Sequence, residues 1–151
     1  MPETIAPLTR LYAEFVAGCT PVGLPAAALE VARLGFTDST AAILGGRRQE
    51  VLARLSVHLE RLGGTKASRL MFSARRASLT QAGLVNATAA HALDYDDFAF
   101  SNHPSAVLVP TILAAADTNG ATGARMATAY VAGYEVWSDI MSREPDHIYD
   151  R

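Results

Sequence analysis

The sequence predicts an all-α protein in which about six helices pack as a single helical domain. Apolar residues recur every three or four positions along most of the chain, which is the period of a helix with one buried face. Glycine, proline and asparagine lie where these periodic segments end. The 151 residues, half of them apolar, are enough to bury one hydrophobic core without disulfides.

The first two helices are predicted within residues 8–44. Gly18 ends the first helix, and Pro25 stands where a first-turn proline of the second helix belongs. Asp38 falls on the apolar side of the second helix, where we interpret it as structural. The apolar positions of the first helix have helical spacing: Leu8, Leu11, Tyr12, Phe15 and Val16.

A leucine stripe indicates the third helix, which is predicted to end at Gly63. Residues 65–77 have no clear period and are interpreted as a loop, with residues 70–72 as the candidate for a short extended piece. Arg75 and Arg76 are interpreted as a solvated surface pair, although two arginines can also clamp a polycarboxylate. The stripe consists of Leu52, Leu55, Leu59 and Leu62.

Three further helices follow. Ser78 and Gln81 have capping-box spacing and predict a fourth helix over residues 79–93. His103-Pro104 opens the fifth, which runs to Asn119 and is expected to kink at Pro110 unless that proline lies near the first turn. The sixth is predicted over residues 123–141, with an apolar stripe formed by Met126, Tyr130, Gly133, Trp137 and Ile140.

Composition excludes several classes of function. Thirteen basic and fifteen acidic residues leave a net charge of −2, and no basic run is present that would follow a nucleic acid backbone. Cys19 is the single cysteine, which excludes an internal disulfide and any Cys/His zinc spacing. The start of the chain lacks signal-peptide features and no apolar stretch is long enough for a bilayer. We therefore expect a cytoplasmic protein with neither nucleic acid nor membrane as a partner.

The most unusual local pattern is the run from His91 to Asp97, which places Asp94, Asp96 and Asp97 at the end of an otherwise uncharged helix. Carboxylates are disfavoured at a helix C-terminus, where the helix dipole is negative. Mutually repelling carboxylates can hold a proton for acid/base chemistry, and local rules tend to be broken at functional sites. The alternative is a solvated acidic loop or a pair of helix caps.

Four histidines are available for chemistry. His103 directly precedes Pro104, so it can face the free amides of the fifth helix, where a substrate carboxylate would also bind. The alternative is that His103 caps its own helix. His91 either is structural or orients the acidic cluster by packing against Asp94, and His58 and His147 are interpreted as surface residues. Nucleotide-binding, zinc-protease, serine-hydrolase and calcium-loop motifs are absent from the sequence, so we predict proton transfer without a cofactor or metal.

Three segments together carry a family resemblance: NATAAHALDYDD at 86–97, HPSAVLVP at 103–110 and AYVAGYEV at 129–136. Their order and intervals resemble the MmgE/PrpD family, which includes 2-methylcitrate dehydratase, cis-aconitate decarboxylase and iminodisuccinate epimerase. The resemblance implies a large helical domain with a smaller α+β lid, a dimer, no metal, and proton movement at carbon in a di- or tricarboxylic acid. It also implies that Asp94 and His103 are catalytic and that Asp96, Asp97 and Ser105 bind substrate.

Two departures from the family pattern matter. Phe98 stands where many members have a threonine that contacts substrate. Members are also longer, and their further catalytic histidine and lysines match positions beyond Arg151, with the tail from His147 resembling the lead-in to that histidine. We therefore expect residues 1–151 to be the amino-terminal part of the helical domain, with the lid and the remainder absent.

The functional prediction is a cofactor-free lyase, a dehydratase or decarboxylase, that is inactive as this fragment and forms a homodimer. One alternative is an isomerase or epimerase of the same family. The other is a non-catalytic helical module that uses Phe98, Phe100 and the apolar stripe of the last helix to bind a partner chain.

Overall fold

The computed structural model describes residues 7–100 and 102–143. In these residues the elements are α1 (Leu8–Gly18), α2 (Ala26–Gly46), α3 (Glu50–Leu62), β1 (Ser68–Arg69), β2 (Arg76–Ala77), α4 (Leu79–His91), α5 (Pro104–Asn119) and α6 (Gly123–Arg143). The predicted all-α class is confirmed, and each predicted helix is present. Our interpretations of the first six residues and of the tail with His147 lie outside the described residues.

Helix α4 lies at the centre of the fold, with α2 and α5 packed closely against it. Close packing is possible because α2 presents Gly46 to α4, where an added Cβ would collide with the carbonyl oxygen of Ala89. A second core cluster joins α2, α5 and α6 around Ala32, Val109 and Tyr130. The main cluster consists of Ile43, Leu52, Leu70, Ala82, Val85, Ala89, Ala90, Ala106 and Ala114. The site described below lies where α4 ends and α5 begins.

Local signals at the helix ends have the expected effect. The capping box is confirmed, since Ser78 Oγ accepts from the Gln81 amide at 3.4 Å and Gln81 Oε1 accepts from the Ser78 amide at 3.2 Å. Helix α4 ends at His91 rather than at residue 93. Pro110 lies six residues after Pro104, beyond the first turn, and α5 nevertheless continues to Asn119.

The segment between α3 and α4 differs from the prediction. Residues 65–77 contain a short antiparallel pair in which Ser68 faces Ala77 and Arg69 faces Arg76. Residues 70–72 lie in the segment that connects the two strands, where Leu70 is buried in the core and its amide donates to the Arg75 carbonyl at 3.0 Å. Asn86 of α4 fixes the turn by accepting from the Met71 amide at 2.9 Å.

Helix α1 is peripheral. It contacts α6 and has no buried residue. None of the helices in the described ranges combines the length and hydropathy needed to cross a bilayer.

Candidate active site

The loop between α4 and α5 positions the acidic residues. The Asp94 amide donates to the His91 carbonyl at 3.1 Å, and Asp94 then adopts a left-handed conformation with φ of 53°. This conformation is rare for side chains other than those of asparagine and aspartate, which tolerate it best. The reversal at Asp94 brings the following residues back towards α4, so that Asp96 comes to lie beside His91.

Asp96 is a fully buried carboxylate between two imidazoles. Its Oδ1 is hydrogen-bonded to His91 Nδ1 at 3.0 Å, and its side chain is 0% exposed. Its Oδ2 lies 3.2 Å from His103 Nδ1. The second contact has ion-pair distance without hydrogen-bond alignment, so Nδ1 of His103 is buried with no hydrogen-bond partner among the described residues. A buried carboxylate is costly unless it is paired or hydrogen-bonded, and the hydrogen bond to His91 supplies such a partner.

Asp94 faces the other nitrogen of the same ring. Its Oδ1 is 3.6 Å from His103 Nε2, and its side chain is 78% exposed. The two nitrogens of His103 therefore lie between a buried carboxylate and an exposed one. The structure thus brings Asp94 and His103 together at neighbouring helix ends.

Aromatic contacts hold the His103 ring. The His91 and His103 rings lie 4.5 Å apart, and the edge of the Phe98 ring meets His103 at 5.5 Å between centroids. His91 is hydrogen-bonded to Asp96, so it meets the acidic cluster through Asp96, whereas the alternative interpretation of His91 had placed Asp94 against it. Phe98, the departure from the family pattern, lies in the site as an apolar contact of the histidine.

Asp97 and Ser105 form a separate, internally bonded pair. Asp97 Oδ1 accepts from the Ser105 amide at 3.1 Å, and Oδ2 accepts from the Ser105 hydroxyl at 2.7 Å. Asp97 thus occupies the N-terminus of α5, where the sequence suggested a substrate carboxylate, and complements the helix dipole there. Ser105 is fully buried, so a substrate could reach it only after these bonds break.

Tyr130 of α6 completes this pair and was not identified from the sequence as a site residue. Its hydroxyl lies 2.7 Å from Ser105 Oγ, and because that oxygen already donates to Asp97, Tyr130 must be the donor. Burial raises the pKa of Tyr130, so the phenol keeps its proton at neutral pH. Gly35 of α2 makes room, since a Cβ there would collide with the Tyr130 hydroxyl. Asp38, which we interpreted as structural, accepts from the Asp97 amide at 3.2 Å.

The other candidates lie elsewhere. A cavity of about 640 Å³ between α3, the strand pair and α4 is lined by Arg75 and Arg76 together with Lys66 and Gln81. Arg75 pairs with Glu60, and Arg76 pairs with Asp117 at 3.0 Å. These pairings within the chain match the surface interpretation better than a substrate clamp. His58 is exposed on α3.

Comparison with known proteins identifies the family. The family model of the MmgE/PrpD N-terminal domain matches residues 10–150. The chain belongs to the MmgE/PrpD family. No curated protein sequence matches it. The three segments that resemble MmgE/PrpD proteins meet in the structure, because the first ends α4 and forms the acidic loop, the second begins α5, and the third carries Tyr130 on α6.

Proposed function

We propose that this chain is the N-terminal helical part of a cofactor-free MmgE/PrpD lyase, a dehydratase or decarboxylase that moves protons at carbon in a di- or tricarboxylic acid. The observation that carries the proposal is the position of His103 between two carboxylates. Asp96 lies 3.2 Å behind Nδ1, and Asp94 lies 3.6 Å from Nε2. Nδ1 therefore lies beside the buried carboxylate and Nε2 beside the exposed one, and we assign the two nitrogens different roles.

In this proposal Asp96 determines which tautomer of His103 is favoured. The negative charge of Asp96 favours the proton of neutral His103 on Nδ1, which leaves the lone pair on Nε2. In a dehydratase, Nε2 then removes a proton from a substrate carbon, and the imidazolium gives that proton to the leaving hydroxyl, which departs as water. In a decarboxylase, the C–C bond breaks and CO₂ leaves, and a protonated His103 donates its Nε2 proton to the carbanion that remains. In this proposal Asp94 orients the substrate or holds a second proton, whereas Asp97, Ser105 and Tyr130 keep the start of α5, and hence His103, in place.

The charge balance of the site supports inactivity of the chain alone. In the part of the chain that the structure describes, the ion-pair partners of Asp94 and Asp96 are His91 and His103. Two carboxylates beside two neutral imidazoles repel a polycarboxylate, so productive binding needs cationic groups from outside these residues. We therefore propose that further residues of the helical domain and a lid complete the site.

Turnover is tested by incubating the purified chain with methylcitrate, cis-aconitate and iminodisuccinate and recording proton NMR spectra. We expect no conversion of any of the three. Appreciable conversion would show that the chain is active by itself and would contradict the inactivity.

Binding is tested separately by titrating the same acids while following the imidazole signals of the ¹⁵N-labelled chain. We expect weak binding, on the order of millimolar, with the largest shifts at His103 and tighter binding by Asp94→Asn, because this variant lacks one of the two carboxylates that repel the ligand. His58, on the surface of α3, is the internal control. Shifts of equal size at His58 and His103 would remove the support for this site.

Asp94 and His103 do not by themselves form the two-base site of an epimerase. An epimerase with two bases places them on opposite faces of one carbon, each within about 3 Å, and therefore roughly 6 Å apart. Asp94 Oδ1 and His103 Nε2 are 3.6 Å apart, which is too close to flank a carbon. An epimerase would therefore need a second base from elsewhere, and deuterium uptake into iminodisuccinate with loss of optical activity would reveal one.

Homodimer formation and the cytoplasmic location remain predictions. The exposed apolar residues of α1, which include Leu8, Leu11, Phe15 and Val16, are consistent with self-association. The non-catalytic module would use Phe98 and Phe100, which are exposed, but the stripe of α6 assigned to it includes the buried Tyr130. Sedimentation equilibrium measures the stoichiometry, and a monomer at micromolar concentration would argue against the dimer.

A further inference from the structure

The cluster formed by His91, Asp94, Asp96 and His103 has the geometry of a metal site. One nitrogen or oxygen from each residue can be chosen so that all four atoms lie within 4.8 Å of one another. Zinc bonds to imidazole nitrogen and carboxylate oxygen are about 2.0 to 2.2 Å long, so tetrahedral ligands are roughly 3.4 Å apart. Side-chain rotations would therefore have to bring the four atoms closer together, and Asp94 and His91, whose side chains are exposed, have room to rotate.

The charge of the cluster also matches a dication. With neutral imidazoles the two carboxylates give the cluster a charge of −2. No arginine or lysine forms an ion pair with Asp94 or Asp96 within residues 7–100 and 102–143, where the histidines are their partners. A divalent cation would neutralise both carboxylates at once, including the fully buried Asp96.

His103 supplies a second observation. Its Nδ1 is buried and lacks a hydrogen-bond partner among the described residues, although buried polar atoms are nearly always satisfied. A metal bond to one ring nitrogen would fix the ring, so that the other nitrogen could donate to a carboxylate, as metal-bound histidines usually do.

We propose that these four residues bind a divalent transition-metal ion of the Zn²⁺ or Co²⁺ type. Two imidazole ligands select such ions over Mg²⁺ and Ca²⁺, which prefer oxygen ligands. The cation would act as an inhibitor and not as a cofactor, a consequence that rests on the proposed function, because it occupies the lone pair that His103 would use for proton transfer.

The test is a titration of the tag-free chain with CoCl₂, followed by visible absorption. We expect one equivalent of Co²⁺ to produce the strong bands of a four-coordinate ion, which ZnCl₂ then displaces and excess MgCl₂ does not. Absence of these bands would overturn the proposal.

Variants locate the ion. Asp94→Asn removes an exposed ligand with little risk to folding, and we expect it to weaken Co²⁺ binding by about tenfold or more. His91→Gln should weaken binding similarly, with circular dichroism confirming that it folds. His58→Ala is the matched control because His58 is exposed on α3, and it should bind as the wild type does.

Equal binding by all four proteins would place the ion elsewhere and contradict the proposal. The readout needs no substrate. If the chain binds Co²⁺ at this cluster but polycarboxylates do not shift its imidazole signals, the metal-site proposal stands and only the proposed function is contradicted.

Discussion

Asp94 and Asp97 lie three residues apart in one loop, yet their surroundings differ. Asp94 is 78% exposed and has His103 Nε2 as its ion-pair neighbour at 3.6 Å. Asp97 accepts two hydrogen bonds from Ser105, and its amide donates to Asp38. The comparison teaches that an unusual acidic run need not be one site. In this loop Asp97 anchors the start of α5, whereas Asp94 is left free for solvent and ligand.

Removing the anchor should have the largest effect. Asp97→Ala deletes the carboxylate that accepts from the amide and the hydroxyl of Ser105, and hydrogen bonds to charged groups contribute about 1.5 to 3 kcal/mol each, not fully additively. We expect the free energy of unfolding, measured by urea denaturation, to fall by about 3 kcal/mol.

Asp97→Asn is the control for this substitution, because its amide oxygen can still accept one bond from Ser105. It should lose about half as much stability as Asp97→Ala. Equal stability of Asp97→Ala and the wild type would mean that Asp97 is not an anchor, and the distinction between the two aspartates would fail.

The features that depend on residues close together in the sequence are the ones that could be predicted. The capping box of Ser78 and Gln81 and the start of α5 at Pro104 depend on residues a few positions apart, so they could be predicted. The positions of Asp94 and His103 at neighbouring helix ends followed from the same boundaries. The strand pair was not predicted. The apolar residues 70–72 suggested the extended piece, with Leu70 in fact buried in the core, whereas the residues that pair include the polar Ser68 and Arg76.

The different roles of Asp94, Asp96 and Asp97 could not be predicted. They depend on the left-handed turn at Asp94, which buries Asp96 and directs Asp97 towards α5. The part played by Tyr130 depends on packing of α6 against α2 and α5, which brings together residues distant in the sequence. Its position on an apolar stripe indicated a core residue, and no sequence spacing connects its hydroxyl to Ser105.

The Tyr130 hydroxyl provides a second test of the anchor, with a smaller expected loss of stability. Tyr130→Phe keeps the ring and removes the hydroxyl that donates to the buried Ser105. We expect the free energy of unfolding at neutral pH to fall by about 1 to 1.5 kcal/mol, with no change in Co²⁺ binding. A loss of metal binding in this variant would show that the two parts of the loop are coupled.

The same substitution changes the response to alkaline pH. Burial raises the pKa of Tyr130 in the folded chain above its usual value of 10.0, so folding holds this proton more tightly than the unfolded chain does. That stabilisation is complete below about pH 10 and is lost as the pH rises through the folded-state pKa. Between pH 9 and pH 11, about one unit either side of the tyrosine pKa, the free energy of unfolding of Tyr130→Phe should therefore fall less than that of the wild type. Curves of equal slope would contradict this expectation.

The smallest expected effect concerns Asp94, whose backbone has φ of 53°. Glycine adopts this conformation freely, whereas alanine is disfavoured there by about 1 kcal/mol. We expect Asp94→Gly to be as stable as the wild type in urea denaturation and Asp94→Ala to be about 1 kcal/mol less stable than Asp94→Gly. Both should lose the Asp94 contribution to Co²⁺ binding to the same extent, because both lack the carboxylate. If Asp94→Gly instead loses as much stability as Asp97→Ala, the Asp94 side chain must be an anchor too, and its exposure would be a poor guide to its role.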